Sequence, residues 1–132
     1  MNVVERPFDN VDFVMGETVP PVRRARRWIT EAVPELDQAR RLDLLLIADA
    51  LLTNAFEHAL APRRLRLSRP RGGRVVRVEV HDASPELLPV LGKPGARGLR
   101  NRGLLLVNRL ASCWGVDPRS GYKAVWGEVA PA

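Results

Sequence analysis

Asn54 and His58 stand one helical turn apart in a stretch rich in apolar residues, Leu51-Leu52-Thr53-Asn54-Ala55-Phe56-Glu57-His58-Ala59. The stretch predicts a helix, on which Asn54 and His58 at positions i and i+4 share one face. Asparagine is unfavourable inside a helix because its amide competes with the backbone for hydrogen bonds. An amide oxygen is also a hard ligand suited to Mg²⁺. We therefore interpret this stripe as a candidate site for a metal–phosphate group.

Further along the chain, an acidic residue and several glycines offer complementary chemistry. Asp82 follows an alternating strand pattern, and its carboxylate can accept a hydrogen bond from an exocyclic amine such as that of adenine. Gly92, Gly95, Gly98 and Gly103 would let backbone amides approach phosphates, and we expect Gly103 to open a helix whose N-terminus favours anions. Taken alone, each feature is typical of ordinary turns and loops. Together with the helical stripe they could build a nucleotide pocket.

Hydrophobic periodicity and turn residues predict the elements that must position these side chains. Their order is strand, helix, helix, two strands, helix and two strands, at about residues 11–15, 22–33, 38–60, 64–67, 76–81, 103–110, 113–116 and 122–129. Arg71-Gly72-Gly73-Arg74 is a hairpin signal between the second and third strands. This order predicts an α+β fold, a two-layer sandwich with helices on one face of a mixed sheet.

The two hairpin strands alternate between apolar and polar residues, so one face should be buried and the other solvated. The apolar positions, expected in the core, are Leu65, Leu67, Val76, Val78 and Val80. The polar positions, expected in water, are Arg64, Arg66, Arg77, Glu79 and His81.

Composition narrows the class of protein. A chain of 132 residues is long enough for one domain with a core, and it has no apolar run of membrane-spanning length. Its first residues lack an apolar signal region, so we expect a soluble cytoplasmic protein. Cys113 is the only cysteine, which excludes an internal disulfide. The net charge of +6 comes almost entirely from arginine, which fits either a GC-rich coding sequence or an anionic partner.

Five segments carry a family resemblance: Leu51-Leu52-Thr53-Asn54-Ala55-Phe56-Glu57-His58-Ala59, Val78-Glu79-Val80-His81-Asp82-Ala83-Ser84-Pro85, Arg102-Gly103-Leu104-Leu105-Leu106-Val107, Leu110-Ala111-Ser112-Cys113-Trp114-Gly115-Val116 and Lys123-Ala124-Val125-Trp126. In this order they are similar to the N box, the adenine-binding segment, the glycine-rich box and the closing strands of the GHKL (Bergerat-fold) ATPases. The chain most closely resembles the small anti-sigma-factor, serine/threonine kinase-like ATP-binding proteins of bacteria. The resemblance runs from about Phe13 to Val129 and implies one domain over residues 1–132, with its core at about 11–129.

By this resemblance the chain would bind ATP or ADP with Mg²⁺. Asn54 would hold the metal, Asp82 would hold the adenine, and backbone from Gly98 to Gly103 would wrap the phosphates beneath a lid formed by residues 85–102. The arginines that could add charge-assisted contacts are Arg97, Arg100 and Arg102. The nucleotide-binding residues implied in this way are Asn54, His58, Asp82, Ser84, Gly98, Arg102, Gly103, Leu104 and Lys123.

The departures from the family pattern concern catalysis. Kinase members carry a glutamate one helical turn before the asparagine, as general base toward the substrate serine, but here that position is Ala50. Asp49 is the nearest acid, and its five-residue separation from Asn54, about 140° around a helix, should point it elsewhere. Glu57 could reach the rim of the pocket, although a solvated or ion-paired role is favoured. The other departures are Ser84 and Asn101 where the family often has glycine, and Ala124 where threonine is usual.

Loss of the base predicts very slow phosphoryl transfer or none, since general-base catalysis typically contributes ~10²–10⁴-fold. The sequence therefore predicts a site with no catalytic residue in a degenerate, ATP-binding member of the family. Its role would be regulatory: it would sequester a sigma factor, or switch between the sigma factor and an antagonist protein. Relatives commonly dimerise, so pairing of the chain with itself is a further expectation.

Two alternatives remain open. One is an active serine/threonine kinase that phosphorylates an anti-sigma-factor antagonist, with Asp49 or Glu57 as an unorthodox base. The other is a nucleic-acid-binding module that uses the arginines around the hairpin, Arg63, Arg64, Arg66, Arg69, Arg71, Arg74 and Arg77. Tyrosine, phenylalanine and tryptophan are missing from that hairpin, so it lacks a stacking platform and a solvated face is favoured.

Overall fold

The computed structural model describes residues 10–14, 22–86 and 98–130, including the side chains of residues 23–86 and 104–130. Its elements are β1 Asn10–Val14, α1 Val22–Ala32, α2 Gln38–His58, β2 Arg64–Ser68, α3 Pro70–Gly73, β3 Val76–Asp82, α4 Gly98–Leu110, β4 Cys113–Pro118 and β5 Lys123–Val129. None of the helices in these ranges is long and apolar enough to cross a membrane.

The strands form one five-stranded sheet in the order β1-β2-β3-β5-β4. Every pairing between these strands is antiparallel, so the expectation of a mixed sheet is wrong. The physical reason lies in the connections: β2 and β3 form a hairpin, β4 and β5 form another, and neither needs the crossover that parallel strands require. The expected α+β fold with two layers is confirmed.

The second helix is the central element of the core. It begins after Asp37, whose side chain caps it by accepting a hydrogen bond from the backbone N–H of Arg40 at 2.7 Å. Its largest fully buried side chains are Leu44, Ile47, Leu51 and Leu52. They share one apolar cluster with residues from the sheet and from α4, namely Leu65, Leu67, Val76, Val78, Val80, Leu104, Val107 and Val125. All the apolar hairpin positions predicted for the core are therefore buried.

Helix α2 approaches β5 closely because one strand residue has no side chain. A Cβ atom at Gly127 would lie 2.9 Å from Ile47 Cγ2 and 3.6 Å from Val107 Cγ1. Glycine at this position thus lets α2 and α4 both rest on the same stretch of strand.

The other face of the sheet is more covered than the sequence predicts. The Arg77 guanidinium lies 4.1 Å from the centroid of the Trp126 ring, and the ring in turn lies over Gly115. Glu128 is 1% exposed on this face and binds Arg77 and Arg71. The expectation that this face is fully solvated is wrong, because Trp126 supplies an apolar platform and the long arginine side chains fold over it.

Most predicted elements are confirmed to within one or two residues, but the last helix is not. Helix α4 begins at Gly98 rather than Gly103, so Gly103 lies within the helix and not at its N-terminus. Glycine is a weak marker of a helix start, and the apolar run begins only after Gly103, so the sequence gives no periodic signal for the first turn. Residues 87–97, which make up most of the expected lid and include Gly92, Gly95 and Arg97, lie outside the described residues.

Candidate functional site

The carboxylate at the end of β3 is held by a lysine from the neighbouring strand. Asp82 and Lys123 are direct partners in the antiparallel register of β3 and β5. Lys123 Nζ donates a hydrogen bond to Asp82 Oδ1 at 2.8 Å, and each of the two residues is only 2% exposed. The pair lies on the same side of the sheet as the helices, since Val80 and Val125, two residues before and after it along the strands, face the core.

Ser84 ties this strand end to the end of α2. Its backbone N–H donates to Asp82 Oδ1 at 2.9 Å, and its carbonyl accepts a hydrogen bond from Lys123 Nζ at 2.9 Å. Its hydroxyl accepts one from the backbone N–H of Leu60 at 2.9 Å, and Ser84 is fully buried. The Ala83 N–H donates to the Leu60 carbonyl as well. The segment after β3 is therefore fixed to the chain just after α2, because both the N–H and the carbonyl of Leu60 form hydrogen bonds to it.

The two residues of the polar stripe lie on the last turns of α2, as predicted. Asn54 is half-buried and follows Leu51 by one turn, so its side chain sits at the margin of the core. The His58 side chain is 34% exposed, and its Nε2 lies 3.6 Å from a carboxylate oxygen of Glu57. The chain directly after the same helix is hydrogen-bonded to Ser84 through Leu60, so the C-terminal end of α2 and the end of β3 are neighbours.

No acid takes the place of the missing base among the described residues around Asn54. Ala50, one turn before it, is half-buried and packs against the apolar cluster. Asp49 faces α1, where one of its carboxylate oxygens lies 3.2 Å from Arg26 Nε. Burial raises the pKa of Asp49 above its ordinary value, and the Arg26 guanidinium offsets part of this increase. The Glu57 side chain is 51% exposed.

The predicted phosphate-binding residues fall on the first turns of α4. Gly98 is its first residue, and Gly103 lies inside the helix. Leu104 is 2% exposed and belongs to the apolar cluster, so its side chain serves packing. The side chain of Arg102 lies outside the described part of the chain.

Most of the hairpin arginines serve internal contacts. Arg63 is buried, donates to the Ala55 and Ala59 carbonyls at the end of α2, and stacks 4.3 Å from the Phe56 ring centroid. Arg69 is also buried and binds Glu35 and the Ala32 carbonyl.

A cleft of about 370 Å³ beside the end of β3 is lined by Pro62, Arg63, Arg64, Arg66, His81, Asp82, Ala83, Gly121 and Tyr122.

Sequence reasoning placed Lys123 in the site but missed its ion pair with Asp82. One signal was available. Lys123 begins a strand in which Val125 and Val129 face the core, so a lysine two positions before Val125 points inward and needs a partner. The identity of that partner depends on the pairing of β3 with β5, which no local pattern specifies.

Comparisons with known proteins agree with this fold. The family model of the histidine kinase-like ATPase domain matches residues 17–126. No curated protein matches the chain. Among solved structures, the chain is similar to the crystal structure of the RsbU and RsbW domains of Rv1364c from Mycobacterium tuberculosis, with a TM-score of 0.67 and 18% sequence identity. The match covers 92% of this chain and 32% of that one, so the chain spans about a third of the solved protein.

The family model covers most of the chain, and the structural likeness extends over nearly all of the fold. The chain belongs to the histidine kinase-like ATPase domain family.

Proposed function

We propose that this chain is an anti-sigma-factor-like regulatory protein that acts by binding and releasing a partner, with little or no serine kinase activity. The partner would be a sigma factor, an antagonist protein or both in turn, and the chain could also pair with itself. Family membership and the resemblance of its motifs to the small anti-sigma-factor type support this proposal. The RsbW domain in the similar solved structure is in keeping with it.

The observation that carries the proposal is the methyl group at position 50. Ala50 lies one turn before Asn54 on α2, where a kinase of this type would need a proton acceptor, and instead packs against the core. A general base typically contributes ~10²–10⁴-fold to a rate. A chain without one retains the surfaces for partner binding and loses most of its capacity for phosphoryl transfer.

The neighbouring acids do not supply a substitute. Asp49 points to Arg26 on α1, and about half of the Glu57 side chain is exposed to solvent beside His58. A base must reach the proton that it removes within hydrogen-bonding distance or through one water molecule. The direction of Asp49 speaks against the alternative of an active kinase that uses this residue.

The family implies that Mg²⁺ and ATP bind here. The residues present fit the adenine ring of ATP poorly. Asn54 is half-buried on the correct helix, and we retain it as the proposed Mg²⁺ ligand. The Asp82 carboxylate, however, is already bound by Lys123 and by the Ser84 backbone. We therefore propose no step that depends on a bound nucleotide.

The proposal is tested by measuring both partner binding and phosphate transfer. Purified protein is titrated with sigma factors and antagonist proteins from the same organism, and labelled ATP is then offered with any partner that binds. We expect saturable binding of a partner and transfer to it at least ~10²-fold slower than that of an active family kinase assayed in parallel. Transfer at a comparable rate would contradict the proposed loss of chemistry, and failure of every sigma factor and antagonist to bind would contradict the regulatory role.

A further inference from the structure

We infer that Lys123 takes the place that an adenine amine would occupy at Asp82, so that the chain excludes adenine nucleotides from its own site. The inference concerns the ligand of this pocket and does not depend on which partner the protein binds or on the missing base. It rests on the contacts, burial and register of a few side chains at the end of the sheet.

The first step is the occupancy of the carboxylate. Oδ1 of Asp82 accepts hydrogen bonds from Lys123 Nζ at 2.8 Å and from Ser84 N at 2.9 Å. An adenine amine that approached this oxygen would have to compete with both donors. The lysine bond joins two opposite charges, whereas an adenine amine would bring a neutral donor to the same carboxylate. A purine would therefore exchange a stronger partner for a weaker one.

The second step is burial. Asp82 and Lys123 are each 2% exposed, and Ser84 is fully buried. Removing one member of a buried ion pair is strongly destabilising, because the other charge remains without compensation. Displacement of the Lys123 ammonium would also break its hydrogen bond to the Ser84 carbonyl at 2.9 Å. A ligand that took the place of the lysine at Oδ1 would thus have to break this buried ion pair.

The third step is that the backbone holds this arrangement. Asp82 and Lys123 are paired across β3 and β5, so their Cα atoms are neighbours whatever the side-chain rotamers. The Ser84 hydroxyl and the Ala83 N–H both bind Leu60, which fixes the turn after β3 to the end of α2. The register therefore places the lysine beside the carboxylate, and its hydrogen bonds to Asp82 and Ser84 hold the side chain there.

The experiment is a calorimetric titration of the full chain with adenosine, Mg-ATP and Mg-GTP. Adenosine reports on the purine end alone, and GTP reveals any binding that depends only on the phosphates. We expect the wild-type protein to bind adenosine more weakly than about 1 mM and not to prefer ATP to GTP. Lys123→Thr, which shortens the side chain and frees the carboxylate, should bind adenosine at least ~10-fold more tightly and should prefer ATP.

Two controls separate the ion pair from a general change in charge. Arg119→Thr also removes one positive charge, from an exposed side chain near the turn between β4 and β5, and should leave the titrations unchanged. Asp82→Asn added to Lys123→Thr should abolish the gained affinity. Circular dichroism checks that each variant is folded, and Lys123→Gln replaces any Lys123→Thr protein that is not.

Each outcome decides the inference. Selective binding of adenosine or ATP by the wild-type protein would overturn it, and this measurement does not depend on how the variants fold. A folded Lys123→Thr or Lys123→Gln protein that gains no adenosine binding would overturn it as well. Since no partner protein is present, failure here leaves the proposed regulatory role to be judged by its own assay.

Discussion

Several buried charged side chains of this protein are bound to residues of opposite charge. Lys123 meets Asp82, Arg69 meets Glu35, and Glu128 meets two arginines, Arg71 and Arg77. Such pairing follows from the large cost of desolvating an isolated charge. In each case the partners come from distant parts of the chain, so the pairs also fix which elements lie side by side.

Asp49 has Arg26 as its partner, but its pKa is still raised, which leads to a prediction about how stability depends on pH. Burial raises its pKa despite the nearby Arg26, so the folded state binds a proton at this carboxyl more readily than the unfolded state does. The resulting stability is present below the ordinary pKa of aspartate and is lost as pH rises through the higher folded value. Asp49→Asn should therefore gain stability relative to the wild-type protein as the pH increases from about 4 to about 7.

Urea unfolding at several pH values measures this difference. Asp117→Asn, which removes an acidic group from a side chain that is 45% exposed, serves as the control and should show a smaller trend. A difference between Asp49→Asn and wild type that is flat or falls with pH would contradict the assignment.

The residues at positions 50 and 123 lead to a combined prediction about chemistry. Ala50→Glu restores the missing base, but we expect no phosphate transfer above that of the wild type while Lys123 still binds Asp82. Ala50→Glu with Lys123→Thr should raise transfer by ~10²-fold or more, since both obstacles are then removed. Thr53→Glu, which adds the same charge to an exposed position of α2, is the matched control. A gain from Ala50→Glu alone would show that adenine binding was never blocked.

At the scale of elements, the core depends on close contact between α2 and β5. Gly127 allows this contact, because a Cβ atom there would lie 2.9 Å from Ile47 Cγ2. Gly127→Ala should destabilise the fold by about 1–3 kcal/mol through overpacking. Ile47→Ala removes the obstructing methyl group, so the cost of Gly127→Ala should be smaller in that background by about 0.5–3 kcal/mol. Denaturant unfolding of the four proteins of this double-mutant cycle measures the coupling, and simple additivity would contradict the proposed contact.

The sequence predicts elements well where the pattern is strong and local. The alternation of β2 and β3 and the cap at Asp37 are read directly, since each involves residues within a few positions of one another. The start of α4 at Gly98 was missed because the residues from 98 to 103 carry no apolar periodicity or capping side chain that separates a helix from a loop.

In the candidate site as well, local features were predicted from the sequence and long-range contacts were not. The spacing of Ala50, Asn54 and His58 on one helix was predicted and is confirmed by α2. The ion pair of Asp82 with Lys123 joins two residues far apart in sequence, and it exists only through the register of β3 with β5. Single-sequence patterns contain no information about that register.

Over the described part of the molecule, four of the arginines around the hairpin help to hold the fold together. Arg63 and Arg69 are buried, and Arg71 and Arg77 bind Glu128. Arginine suits these places because its planar guanidinium can bind several oxygens and also stack on an aromatic ring. These contacts leave fewer cationic groups to bind the phosphate backbone of a nucleic acid. They therefore favour a regulatory protein over a nucleic-acid-binding module.

The strand order has a consequence for how the protein is made. β5 is the last of the described strands to leave the ribosome, yet it lies between β3 and β4 in the finished sheet. Until residues 123–129 emerge, β3 displays unpaired N–H and C=O groups along one edge, which other nascent chains could recruit. Completion of the sheet must therefore wait until residues 123–129 have emerged, and slow release of that segment would raise the risk of aggregation.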